Sequence, residues 1–469
     1  MQGVSRLLPL LLLCRVLFAD AGPDVTLQPP QPVTITFWHA MGGPLGEALN
    51  SMIRDFEKTH PDIRITSISM GDYGSLAQKL MSALWVKSPP TIAQMYESWT
   101  TQFYEAGELY PIESLLNREC RMRNAECRMQ NAESSARSAV NALSDIYPVL
   151  IEDNSWDGQL VTYPFNKSVP CYYYNIRRFD SLGIAAFPRT WAEFRVAAKK
   201  LTRRAPQLKD WVWGTAGGVN ASVFVSMLLS HNGALLDEQT GKPLFASKEA
   251  IDVLTYQTEM IQQDSSQVFS VGYSGQDDLL SGRIGMIYGT SVSKAFMRGK
   301  GKFPIGMAPL PYWDKPAAII QGTNIGLFRK TTRAERQAAW EFITWFTAPA
   351  QQAHWAARTF YVPVCRAALE EPEFKAVLDS TPGWRECVAQ MDHGVFEPKS
   401  RIWFEGRKIM DSGLEPALRG LLSPQQSLTE AAALMAPSQA SQGRVGFYVL
   451  LGILAIGLAV GIVVVVKRA

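Results

Sequence analysis

The chain has 469 residues, 47% hydrophobic and 19% charged, with a net charge of +3. That length exceeds one ordinary core and suggests two or three domains. So small a charge, with no basic stripe interleaved with aromatics, argues against a nucleic-acid partner.

The opening, MQGVSRLLPLLLLCRVLFADAG, carries Arg6, an apolar run from Leu7 to Leu13 and the small-residue pattern Ala19-Asp20-Ala21. Residues 1–21 therefore read as a secretory signal peptide. Lipidation at Cys14 is the weaker alternative, because leucines rather than a small residue precede it. A Pro-rich leader, GPDVTLQPPQP, follows.

From Val33 to Trp38 apolar and polar residues alternate, which predicts a strand. Leu45, Leu49, Met52, Ile53 and Phe56 then recur at helical spacing between Pro44 and His60, and Ile63–Ile68 is again strand-like. A β-α-β opening implies a parallel sheet covered by helices. Gly42-Gly43-Pro44 marks the helix start, with Pro near the first helical position. His39 has no acid, metal ligand or nucleophile beside it in sequence and is expected to be structural.

Farther on, TIAQMYESW places Glu97 just past a hydrophobic strand, where parallel sheets present ligand groups. A carboxylate there accepts hydrogen bonds from hydroxyls; a solvated loop glutamate is the competing reading. CRMRNAE at 120–126 is followed directly by CRMQNAE at 127–133, expected to form a solvated helical insertion. In YPFNKSVPCYYYN the polar Asn166-Lys167-Ser168 interrupts apolar runs, which suggests a bend or a crossing between lobes. Thr190-Trp191-Ala192-Glu193 and Thr332-Arg333-Ala334-Glu335 are capping boxes that open helices. Between them Arg283–Tyr288 and Ile319–Phe328 look like buried strands. After the first of these, GTSVSK offers the hydroxyls of Thr290, Ser291 and Ser293 near a helix start, either an anion seat or a plain N-cap.

At the far end, 22 uncharged and mostly apolar residues run from 445 to 466 before Lys467 and Arg468. That is enough to cross a hydrocarbon core of about 30 Å as a helix. The expectation is an exported body on the periplasmic or extracellular side, held to the cell membrane by one C-terminal helix.

No catalytic motif emerges. The five histidines form no HExxH, and neither a GxSxG elbow, a P-loop nor a strand-linked GxGxxG is present. No catalytic residue, metal site or cofactor is expected, and the chain reads as a non-enzyme. After signal removal Cys120, Cys127, Cys171, Cys365 and Cys387 remain; their odd number and lack of CxxC spacing point to ordinary thiols.

FWHAMGG, GDYGSLAQKL, QMYES, YPFNKSVPCYYYN, PRTWAEF, SGRIGMIYGTS, TFYVPV and SPQQSL occur in one order. In that order the chain, over roughly residues 33–435, resembles the family 1 extracellular solute-binding proteins, in particular their sn-glycerol-3-phosphate-binding branch. The resemblance implies an α/β, two-lobed periplasmic-binding-protein type 2 fold with a hinge, here with a C-terminal transmembrane helix added. It implies hinge crossings near Ser168, Gly322 and Tyr361, with lobe 1 formed by 33–167 and 323–361 and lobe 2 by 169–321 and 362–436.

The resemblance further implies that Tyr73 and Glu97 hold glycerol hydroxyls and that Trp191 packs against the glycerol carbons. Ser168, Gly322, Tyr361 and Arg407 would surround a phosphate, with Thr290, next to Ser291, at a position where the branch has serine. The implied function is the substrate-binding subunit of an ABC importer, which captures sn-glycerol 3-phosphate or a glycerophosphodiester and delivers it to permease subunits. An oligosaccharide receptor is the alternative, since 13 tryptophans and the Tyr172–Tyr174 cluster are suited to stacking sugar rings. A hydrolase would need a second carboxylate or a metal cluster facing the cleft.

Overall fold

The computed structural model describes residues 31–118, 143–237, 240–270 and 274–435. The expected signal peptide at 1–21, the duplication at 120–133 and the apolar 445–466 segment lie outside these residues. Among the described residues no helix is long and apolar enough to cross a membrane.

The chain opens with β1 (Val33–His39), α1 (Gly43–Thr59), β2 (Ile63–Ser69), α2 (Tyr73–Trp85), β3 (Ile92–Met95) and α3 (Glu97–Glu105). After the duplicated segment come α4 (Pro148–Asp153), β4 (Tyr163–Ser168) and β5 (Pro170–Asn175). Then follow α5 (Trp191–Leu201), β6 (Trp213–Gly217), α6 (Ala221–Ser230), α7 (Lys248–Gln262), β7 (Gln267–Phe269), β8 (Ile284–Thr290) and β9 (Ile305–Pro309). The last stretch holds β10 (Gln321–Leu327), α8 (Arg333–Phe346), α9 (Pro349–Thr359), α10 (Trp384–Val388) and α11 (Arg401–Leu418).

Two five-stranded sheets result, ordered β2-β1-β3-β10-β4 and β9-β5-β8-β6-β7. In the first, β1 runs parallel to β2 and β3, while β10 is antiparallel to β3 and β4. In the second, β8 is parallel to β6, and β5 is antiparallel to β8 and β9. Only Val169 separates β4 in the first sheet from β5 in the second, so the polar interruption seen in the sequence is a crossing. Ala318–Ile319 pairs in parallel with Gly394–Val395 in a separate two-stranded element.

The local signals act as the physics requires. All five apolar positions expected on α1 are buried, and Pro44 sits in the first turn, where its missing N–H removes no intrahelical bond. Both capping boxes form, with Thr190 and Glu193, and Thr332 and Glu335, each satisfying the other's backbone N–H. His39 is buried; its Nδ1 accepts from Met41 N–H at 3.1 Å and its Nε2 lies 2.8 Å from Ser67 Oγ. Burial lowers its pKa to about 4, so the ring is a neutral strand-end brace. Cys171, Cys365 and Cys387 are buried free thiols.

Candidate ligand site

One wall of the cleft is built by the first sheet. β3 ends at Met95, Tyr96 takes the N-cap position, and Glu97 opens α3 with only 5% of its surface exposed. Burial, reinforced by the nearby Asp153 charge and opposed by Lys167, pushes the Glu97 pKa up to about 8. Next to it the rings of Tyr73 and Tyr96 meet edge to face at 5.1 Å, and the Tyr73 and Tyr361 side chains hydrogen-bond. Phe360, with φ at 61°, ends α9 in a left-handed turn immediately before Tyr361.

Beneath this wall lies a buried polar floor. Lys167 Nζ donates to Asp153 Oδ2 at 2.7 Å, with the two side chains 2% and 3% exposed. Asn324 Nδ2 donates to the same oxygen at 2.9 Å and receives Asn154 Nδ2 on its own Oδ1 at 3.0 Å. Alongside, Asn166 Oδ1 accepts from Gln94 Nε2 at 2.9 Å and from Thr323 Oγ1 at 2.6 Å. Gln94, Asn166, Lys167, Thr323 and Asn324 sit on β3, β4 and β10, and Asp153 and Asn154 at the end of α4, so the strands that run toward the crossing are bound by side chains as well as by their ladder.

The opposite wall belongs to the second sheet and α11. A cavity of about 410 Å³ is lined by the Gly217–Asn220 loop, Tyr172, Tyr288, Thr290, Gln321 and Arg407, among others. Arg407 Nη1 donates to Glu397 Oε1 at 2.8 Å and Nη2 to Ser222 Oγ at 2.7 Å. Glu397 also accepts from Trp403 Nε1 at 2.7 Å. The Glu397 carboxylate, with smaller contributions from Tyr96, Asp411 and Glu97, holds the Arg407 pKa above its ordinary range. Tyr96 and Glu97 thus act on Arg407 from across the cleft.

The residues expected from sequence divide into three sets. Tyr73, Glu97 and Tyr361 gather on the first wall, and Thr290 and Arg407 on the second. Ser168 and Gly322 lie on the paired strands β4 and β10 at the crossing. At Gly322, φ is +99° and an added Cβ would stand 1.9 Å from Asn166 O, so close backbone packing explains this glycine.

Two of the expected residues from the second lobe do not line this cavity. Trp191 does not reach the cavity: it is buried in the core of the second lobe, its ring near Tyr172, Phe194 and Tyr256. It is the first residue of α5, its ring centroid 6.1 Å from that of Tyr172, and its indole Nε1 is buried without a hydrogen bond. Ser291 also turns inward; its N–H donates to Val169 O, its carbonyl accepts from Tyr173 Oη, and its hydroxyl is buried without a hydrogen bond. The N-cap reading of that stretch fails as well, because Val292 caps a helix of five residues with no side-chain bond.

Several residues lacked a sequence signal. Glu397 meets Arg407 from a loop ten residues away, Ser222 from another helix, and Gln321 and Tyr288 hydrogen-bond to each other at 3.1 Å on the cavity wall. Of the three adjacent tyrosines, Tyr172 faces the cavity while Tyr173 is core, as strand alternation dictates.

The chain is similar to known proteins along most of its length. It is 26% identical over 422 residues to the sn-glycerol-3-phosphate-binding periplasmic protein UgpB of Pectobacterium atrosepticum, covering 85% of this chain and 89% of that one. Its counterpart in Escherichia coli strain K12 is 25% identical over 414 residues, covering 85% and 90%. Among solved structures, UgpB from Mycobacterium tuberculosis in complex with glycerophosphocholine aligns with a TM-score of 0.72 at 21% identity, covering 86% of this chain and 97% of that one. An ABC substrate-binding protein from Listeria monocytogenes in complex with cycloalternan aligns with the same TM-score at 20% identity, covering 86% and 98%. These alignments establish the two-lobed α/β periplasmic-binding fold. Residues 51–378 match the profile of one family, and the chain belongs to it: the bacterial extracellular solute-binding proteins.

Proposed function

We propose that the chain is the substrate-binding subunit of an ABC importer, capturing sn-glycerol 3-phosphate or a glycerophosphodiester between its lobes and presenting it to permease subunits. The observation that carries this reading is the pairing of opposite chemistries across the cleft. Arg407 commits two of its five N–H donors to Glu397 and Ser222 and borders the cavity with the rest of its guanidinium, a planar fork suited to phosphate oxygens. Glu97, on the facing wall, is a buried carboxyl suited to glycerol hydroxyls. Thr290, Ser168, Tyr361 and the Gly322 backbone are assigned to the phosphate end, and Tyr73 to the glycerol end. Trp191 drops out of the set. The hinge is assigned to the chain near Ser168, Gly322 and Tyr361, and ligand binding selects the closed state. The names of the relatives at 25–26% identity support the same ligand class.

Calorimetric titration with glycerol 3-phosphate, glycerophosphocholine and neutral oligosaccharides tests this. Binding of a phosphorylated glycerol that is lost in Arg407→Ala is the expected result. Binding of neutral sugars alone would replace it with the oligosaccharide reading, which the Tyr172, Tyr288 and glutamine lining of the cavity favours. Turnover of glycerophosphocholine would instead make the protein a hydrolase. The apolar 445–466 segment is assigned as the membrane tether; release of the protein from membranes by alkaline carbonate would refute that.

A further inference from the structure

We propose that Glu397 makes this cleft select phosphodiesters over phosphomonoesters, an inference that rests on the phosphate site assigned to Arg407. Among the described residues, Arg407 is the one charged side chain that lines the cavity, and its charge is already met by Glu397 at 2.8 Å. The Glu397 carboxylate is 8% exposed and held from three sides, by Arg407, by Trp403 Nε1 and by Ser222 Oγ at 3.3 Å, so it stays beside the guanidinium. Lys167, which acts on Glu97 from the floor, is bound to Asp153 there. The remaining groups acting on Arg407 are Asp411, which accepts from Ala221 N–H at 2.8 Å, and Tyr96 and Glu97 from the first wall; Tyr288 faces it from the second sheet. None of these supplies a positive charge.

A phosphomonoester above pH 7 brings close to two negative charges, because its second ionisation lies near pH 6, whereas a phosphodiester brings one. Beside the Arg407–Glu397 pair the first would add two uncompensated negative charges and the second only one, a charge that the guanidinium's unused N–H groups and the surrounding hydroxyls can hydrogen-bond. The cavity's volume and its uncharged lining, with Gln257, Gln267, Gln276 and Gln321, also suit the second alcohol of a diester, as a hydroxyl-bearing group.

The test is titration of the full chain in detergent with sn-glycerol 3-phosphate and with glycerophosphoglycerol at pH 8. The wild type should bind the diester more tightly. Glu397→Gln should strengthen monoester binding by about tenfold or more while changing the diester by less than about threefold, since only the dianion meets the removed charge twice over. In the wild type the preference should narrow at pH 5.5, where the monoester carries about one charge; Glu97 titrates in the same range but meets the glycerol end common to both ligands. A wild type that prefers the monoester at pH 8, or a Glu397→Gln protein weakened equally toward both, overturns the inference and leaves the phosphate site standing. Failure of the wild type to bind either compound overturns the phosphate site itself. If Glu397→Gln shows no folding transition, the wild-type preference at the two pH values decides.

Discussion

Replacing Lys167 with Met probes the polar floor on which the first wall of the cleft rests. The substitution keeps the long stem of a side chain that ranks among the largest fully buried ones, and deletes only the ammonium. Asp153 Oδ2 then keeps Asn324 Nδ2 at 2.9 Å, while Oδ1, already without a hydrogen bond, gains nothing. Removing one partner of a buried ion pair strands the other charge and costs roughly 3–5 kcal/mol, whereas replacing both is often close to neutral. Urea unfolding followed by circular dichroism should therefore show a loss of about that size in Lys167→Met, most of it recovered in Lys167→Met with Asp153→Asn. A loss below about 1 kcal/mol in the single variant, or a double variant as unstable as the single, would mean that the pair does not hold the floor.

Other outcomes follow from the same structure. The Glu97 pKa rises from 4.5 to about 8 in the folded state, so between those values the native protein holds a proton that the unfolded chain has released. Stability should fall as pH rises, by up to about 1.4 kcal/mol per pH unit, and level off above pH 8; Glu97→Gln should lack this slope in urea melts. Gly322→Ala forces a Cβ into Asn166 O at a φ of +99° and should destabilise the protein by more than about 1 kcal/mol in the same assay, with no change expected from an alanine at the open Gly42. Trp191→Ala should cost about 3–5 kcal/mol of stability yet leave the affinity of the folded protein for its ligand unchanged, as measured by titration.

Much of the scaffold was legible because its signals are local. The alternation in VTITFW, the helical spacing from Leu45 to Phe56 and the two capping boxes each depend on residues within one or two turns of one another. The crossing at Ser168 was visible for a similar reason, as three polar residues set inside an apolar run. Glu97 was a candidate because its place just past the carboxyl end of a strand is a positional rule, and the structure places it, buried, at the start of α3.

The rest of the site depends on distance in space. Nothing in the spacing of Glu397, Ser222 and Arg407 announces that the loop before α11, the first turn of α6 and the body of α11 converge. The same holds for Asp153 and Lys167, which lie 14 residues apart on a helix end and a strand. Trp191, which the family resemblance implied as a glycerol-packing residue, lies instead beside Tyr172 in the core, a placement that its local sequence does not announce. Ser291 fails for a related reason, because the run Thr290-Ser291-Val292-Ser293 turns one hydroxyl inward while Thr290 and Ser293 line the cavity.

In the proposed complex the two lobes close on a phosphorylated glycerol held with its phosphate toward Arg407 and its hydroxyls toward Glu97. A crystal structure of the protein with a bound glycerophosphodiester tests it most directly. Phosphate oxygens should lie within hydrogen-bond distance of the Arg407 guanidinium and of Thr290, with glycerol hydroxyls on the Glu97 carboxyl. A phosphate placed away from Arg407, or a ligand bound with its hydroxyls on the Arg407 side, would contradict it.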